Sequence, residues 1–186
     1  MRGENLKTPV TKYLSIVIKE FLEICLFRKG PQDLPAAREL FWLTIMVYIL
    51  MSALLSYPTQ TVIVAMLSGF IETLILLGIS FLFLYLRSVP RRWMQVSTAL
   101  AGTGVIFSLL VLPLYYLRVY SQAGPAAQDL MMTMIILLWL WNIAVMSHIL
   151  KNAFSSSYIL AALGALAYVA IIMLSLQQIF PVPQTT

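Results

Sequence analysis

The sequence predicts an all-α, polytopic membrane protein with five transmembrane helices preceded by a cytoplasmic amphipathic helix. Three observations carry this. Of 186 residues, 61% are hydrophobic and only 10% charged, with a mean hydropathy of +0.90; soluble domains run at about 45–50% apolar and about 25% charged. Five segments are each apolar over the roughly 20 residues needed to cross a hydrocarbon core of about 30 Å. Lys and Arg fall almost entirely on one side of those segments. A soluble enzyme, a disordered tail and a coiled coil are excluded.

Residues 1–39 form a lead-in. Within 10–26, Val10, Tyr13, Leu14, Val17, Ile18, Phe21, Leu22, Cys25 and Leu26 recur at helical spacing, with Lys12, Ser15, Lys19, Glu20 and Glu23 on the other face. Four charges in so short a stretch make a poor spanning helix. The segment reads as a helix lying on the cytoplasmic leaflet or docked on the bundle, and the two stand level. Its acidic residues argue against a secretory signal. Gly30-Pro31-Gln32-Asp33-Leu34-Pro35 then reads as a rigid elbow, with Arg28 and Lys29 beside it as candidate contacts to anionic headgroups.

The membrane domain covers 40–180, with spans at 40–57, 62–86, 96–117, 130–150 and 158–180 and a short extracytoplasmic tail at 181–186. Pro58 and Gln60, Arg87 and Pro90, Arg118 with Gly124-Pro125, Lys151 and Asn152, and Pro181 with Pro183 mark the span ends. Orientation follows from charge. Seven Lys or Arg precede the first span, Arg87, Arg91 and Arg92 join the second to the third, and Lys151 joins the fourth to the fifth; Arg118 alone lies on the other side. Positive residues stay inside, so the amino terminus is cytoplasmic and the carboxyl terminus outside. Arg91 and Arg92 are further headgroup candidates.

Chemistry has few places to reside. Glu72 is the one ionisable residue deep in a span, where an ionisable group defaults to a functional hypothesis. Asn142, Ser108 and Tyr168 fall at matching depth, and the structural reading is a neutral Glu72 satisfied by Asn142, Ser68 or Ser108. His148, one turn from Lys151, reads as an interfacial histidine in preference to a cofactor contact. The rows Ala65/Gly69/Thr73, Gly104/Ser108 and Ala161/Ala165 read as helix packing. One histidine and one cysteine cannot build a multi-ligand metal site or an intrachain disulfide. No catalytic set, cofactor or nucleic-acid surface is expected.

The layout of amphipathic lead-in, basic–proline elbow (Phe27-Arg28-Lys29-Gly30-Pro31-Gln32-Asp33-Leu34-Pro35) and five spans resembles bacterial members of the Yip1-domain family. The Asp-Leu-Tyr-Gly-Pro type motif of eukaryotic members is missing here. The resemblance implies a five-helix protein of the bacterial inner membrane concerned with membrane organisation or partner recruitment. The expectation is a non-enzymatic scaffold or accessory protein that binds membrane lipids and other membrane proteins. Its rivals are a small transporter or channel subunit using Glu72, and an accessory subunit of a respiratory or other energy-converting complex.

Overall fold

A computed structural model describes residues 9–179. Arg2, Lys7 and the tail at 181–186 lie outside the described residues. Within them the chain forms six helices: α1 (Pro9–Cys25), α2 (Arg38–Ser56), α3 (Val62–Leu86), α4 (Trp93–Tyr120), α5 (Pro125–Phe154) and α6 (Tyr158–Ile179). No strand occurs among the described residues. Helices α2 to α6 are long and apolar enough to cross a membrane, which makes this an integral membrane protein. Single 3-10 turns at Pro31–Asp33, Tyr57–Thr59 and Pro90–Arg92 link them. Pro31, Pro58, Pro90 and Pro125 each sit in the first turn of an element, where the missing N–H is no loss.

The helices alternate in direction, so Arg38, Arg87, Arg91, Arg92 and Lys151 gather at one end of the bundle, hereafter the basic end, and Arg118 lies at the other. Helices α1, α3 and α5 end in the same manner. Phe27 (φ 61°), Ser88 (φ 58°) and Ser155 (φ 48°) adopt the left-handed conformation without being glycine. The next amide then reaches back five residues: Arg28 to Glu23 at 2.9 Å, Val89 to Leu84 at 2.9 Å and Ser156 to Lys151 at 3.2 Å. Satisfied carbonyls offset the roughly 1–2 kcal/mol that a side chain costs in this region.

In lipid, helices associate through close packing because lipid tails are as apolar as leucine. The small-residue rows serve that purpose here. Ala65, Gly69 and Thr73 are buried on α3, and a Cβ at Gly69 would stand 2.6 Å from the Ile49 carbonyl oxygen and 3.0 Å from the Ala53 nitrogen of α2. The two backbones therefore touch. Ala161 and Ala165 are buried on α6. Polar pairs lock α3 to α4: the Ser80 and Ser97 hydroxyls lie 2.9 Å apart, and the Trp93 indole donates to the Leu77 carbonyl at 3.0 Å.

The lead-in helix docks on protein. Phe21, Ile24 and Cys25 of α1 are buried, and Gly102 of α4 leaves the space that the Phe21 ring fills. The Trp141 indole of α5 donates to the Cys25 carbonyl at 3.1 Å. Trp141 lies thirteen residues before the end of α5, so α1 terminates about 20 Å along that helix from the basic end at 1.5 Å per residue. The elbow follows the same wall: Gln95 donates to the Leu34 carbonyl at 2.8 Å, and the Gly30 amide donates to Asp33 at 2.8 Å.

A charged clasp closes this arrangement. The Lys29 ammonium contacts both Glu20 oxygens at 2.8 and 2.7 Å and Glu23 at 2.9 Å. Its hydrogen bonds to the two carboxylates raise the Lys29 pKa above the ordinary range, and the bond from Lys29 lowers that of Glu23. The depressed Glu23 value contributes stability that is present above its ordinary pKa and is lost as pH falls through its folded one. The raised Lys29 value contributes stability that is lost only as pH climbs past its folded one. Amide exchange over residues 20–26, corrected for intrinsic rates, is therefore expected to stay flat from about pH 5 to pH 9 and to quicken below about pH 4. A rise near pH 7 would show that another group controls the clasp.

Candidate functional site

An acidic pocket occupies the middle of the bundle. Tyr48 and Ser52 of α2, Glu72 of α3, Asn142 of α5 and Tyr168 of α6 each lie ten to fourteen residues from the basic end of their helices. That corresponds to a layer about 15–21 Å deep along the axes. The close approach at Gly69 brings α2 against α3 one turn from Glu72. The Tyr48 hydroxyl donates to Glu72 Oε1 at 2.7 Å, and the Ser52 hydroxyl donates to Glu72 Oε2. Gly104 of α4 makes room for the Tyr48 ring, since a Cβ there would lie 2.6 Å from Tyr48 Cε2. Tyr168, buried like Tyr48, brings its hydroxyl to the same cluster.

Beside this cluster is a cavity of about 270 Å³ bordered by Tyr48, Glu72, Asn142 and Tyr168. Trp139, Met146 and Met173 complete much of its wall. The expected partners of Glu72 thus divide. Asn142 and Tyr168 share the cavity with it. Ser68 is turned away, donating to Gln60 at 3.0 Å and to the Val64 carbonyl at 2.8 Å. Ser108 is half-buried and does not line the cavity. The two hydroxyls that bond Glu72 come instead from the first span. Their signal in the sequence is a Tyr and a Ser four residues apart, hence on one face, at the depth of Glu72.

Asn142 makes no hydrogen bond among the described residues, and neither does the Trp139 indole. Each carboxylate oxygen of Glu72 has a further lone pair beyond the hydroxyl it accepts from. The pocket therefore presents spare polar capacity at a depth where water is scarce, inside walls that are otherwise apolar. That combination is what a ligand site requires.

The remaining residues singled out from sequence lie at the basic end. His148 is buried, with Nε2 2.9 Å from the Lys29 carbonyl and 3.0 Å from Asn152. A carbonyl can only accept, so Nε2 carries the hydrogen for Lys29, and the Asn152 Nδ2 group beside it is a neighbouring donor, not a hydrogen-bond partner. The Phe27 ring stands edge-on at 5.4 Å, and Nδ1 has no partner among the described residues. His148 is a pin between α5 and the elbow. Arg28 and Arg91 are exposed, whereas Arg92 reaches the Ala153 carbonyl at 3.4 Å and Lys29 is held in the clasp. Burial pushes the Cys25 thiol up to about 12 and leaves it inert at neutral pH. No group of three or more metal-ligating side chains occurs among the described residues.

Comparison with known proteins returned no matching family model, no matching curated protein and no matching solved structure.

Proposed function

We propose that the protein is a non-enzymatic scaffold or accessory protein of the bacterial inner membrane, with a cytoplasmic amino terminus, that binds lipids or partner membrane proteins through its lead-in helix and basic loops. The observation that carries this reading is the two-sided character of α1. One side is buried in the bundle through Phe21, Ile24 and Cys25, while Ile18, Leu22 and Leu26 on a neighbouring stripe are 44–48% exposed beside Lys19. An exposed apolar stripe beside Lys19, on a helix seated against α4 and α5, suits a lipid surface or a partner helix. The Lys/Arg asymmetry supports the orientation, and the Yip1-domain resemblance implies the same kind of role.

The test is a triple variant, Ile18→Ser, Leu22→Ser and Leu26→Ser, which leaves the buried side of α1 intact. Wild-type protein extracted in mild detergent is expected to carry a stoichiometric membrane partner or retained anionic lipid, identified by mass spectrometry. The variant should fold and lose it. Wild type that emerges with neither would retire the scaffold reading. A second reading, a small transporter subunit, is favoured by one observation, the cavity bordering Glu72; Glu72-dependent proton or ion flux in liposomes tests it.

A further inference from the structure

We propose that the intramembrane cavity at Glu72 is a binding site for a primary organic ammonium ion carrying an apolar body, admitted from the lipid side between α5 and α6. The inference concerns what Glu72 faces and does not depend on the scaffold reading; it gives the transport reading a ligand class. The ligand's charge follows from the site. Glu72 is the one acidic residue bordering the cavity. Its oxygens already accept from Tyr48 and Ser52 and retain acceptor capacity, so the complementary group donates hydrogens and carries positive charge.

The walls select for the same group. Trp139, Tyr48 and Tyr168 border the cavity, and aromatic faces attract a desolvated cation. Asn142, unpaired among the described residues, supplies a carbonyl as a second acceptor. Leu76, Leu100 and Ile172 supply apolar contact for the rest of the molecule. At about 30 Å³ per water in the liquid, 270 Å³ amounts to roughly nine waters, the size of a small arylalkylamine.

Entry follows from exposure. Trp139 and Met173, on the cavity's rim, are 40% and 53% exposed. Their neighbours Leu140 and Leu174 are 53% and 60% exposed, as expected of side chains that face hydrocarbon at this depth. An amphiphile dissolved in the leaflet therefore meets the site without crossing water.

The experiment is calorimetric titration of the full-length protein in phosphatidylcholine nanodiscs with 2-phenylethylamine, against 2-phenylethanol and phenylacetate. Saturable amine binding is expected, at least ten times tighter than the alcohol, with no binding of the acid. Glu72→Gln should weaken the amine by tenfold or more. Trp139→Leu, which touches no hydrogen bond of the Glu72 cluster, should weaken it three- to tenfold and serves as the arbiter if the Gln variant fails to fold. Nanodiscs containing phosphatidylethanolamine separate two sources of the same chemistry: competition assigns the site to a lipid amine, and its absence to a free one, both supporting an ammonium site. Equal affinity for amine and alcohol, or unchanged affinity in Trp139→Leu, overturns the proposal. Glu72-dependent flux without amine binding overturns it too, while leaving the transport reading in place.

Discussion

Gly69→Ala is expected to destabilise the bundle by about 3 kcal/mol, the upper end of the usual overpacking cost. The added carbon meets backbone, the Ile49 carbonyl oxygen at 2.6 Å and the Ala53 nitrogen at 3.0 Å, and backbone cannot rotate away as a side-chain tip can. Helices α2 and α3 must separate by several tenths of an ångström along their central turns. The hydrogen bonds of Tyr48 and Ser52 to Glu72 lie one turn from the point of contact and should lengthen with it. Unfolding in a denaturing detergent titration measures the loss. Gly78→Ala is the control, because a Cβ there meets nothing within 4 Å; equal effects at both positions would show that helix propensity, not interhelical contact, is being measured.

Glu72→Leu should cost about 2 kcal/mol and Glu72→Gln well under half of that. Leucine leaves the Tyr48 and Ser52 hydroxyls without their acceptor, and a buried unsatisfied hydroxyl costs about 1–3 kcal/mol. The lower end is appropriate here, since measured interhelical hydrogen bonds in membranes average about 0.6 kcal/mol. An amide still accepts one hydroxyl through its oxygen. The double variant Tyr48→Phe with Glu72→Leu should recover part of the loss, because it removes one of the stranded donors together with the acceptor. No recovery would mean that Tyr48 and Glu72 act independently.

The polar layer was legible in the sequence to the extent that depth along a helix is. Counting residues from the charged ends placed Glu72, Asn142 and Tyr168 at one level, and all three border one cavity. Depth does not say which helices are neighbours. Ser108 has suitable depth but does not line the cavity, Ser68 is bonded to Gln60 and Val64, and Tyr48 and Ser52 were hidden because the α2–α3 contact depends on a glycine meeting a particular carbonyl. The choice between leaflet and bundle for the lead-in also lay beyond periodicity. A helix with one apolar face has the same pattern whether lipid or protein covers it, and the deciding residues, Gly102 and Trp141, are more than seventy positions away.

The seat of α1 also sets a timetable for synthesis. Its walls are α4 and α5, and α5 is complete only at Phe154, roughly 130 residues after Cys25 has been made. At 5–20 residues per second, the lead-in helix exists for about 6–26 s before its site does. Phe21 waits for Gly102 of α4 and Cys25 for Trp141 of α5, and until those walls are made the membrane surface is the nearest apolar refuge. The helix that ends as a brace against α4 and α5 begins as a float.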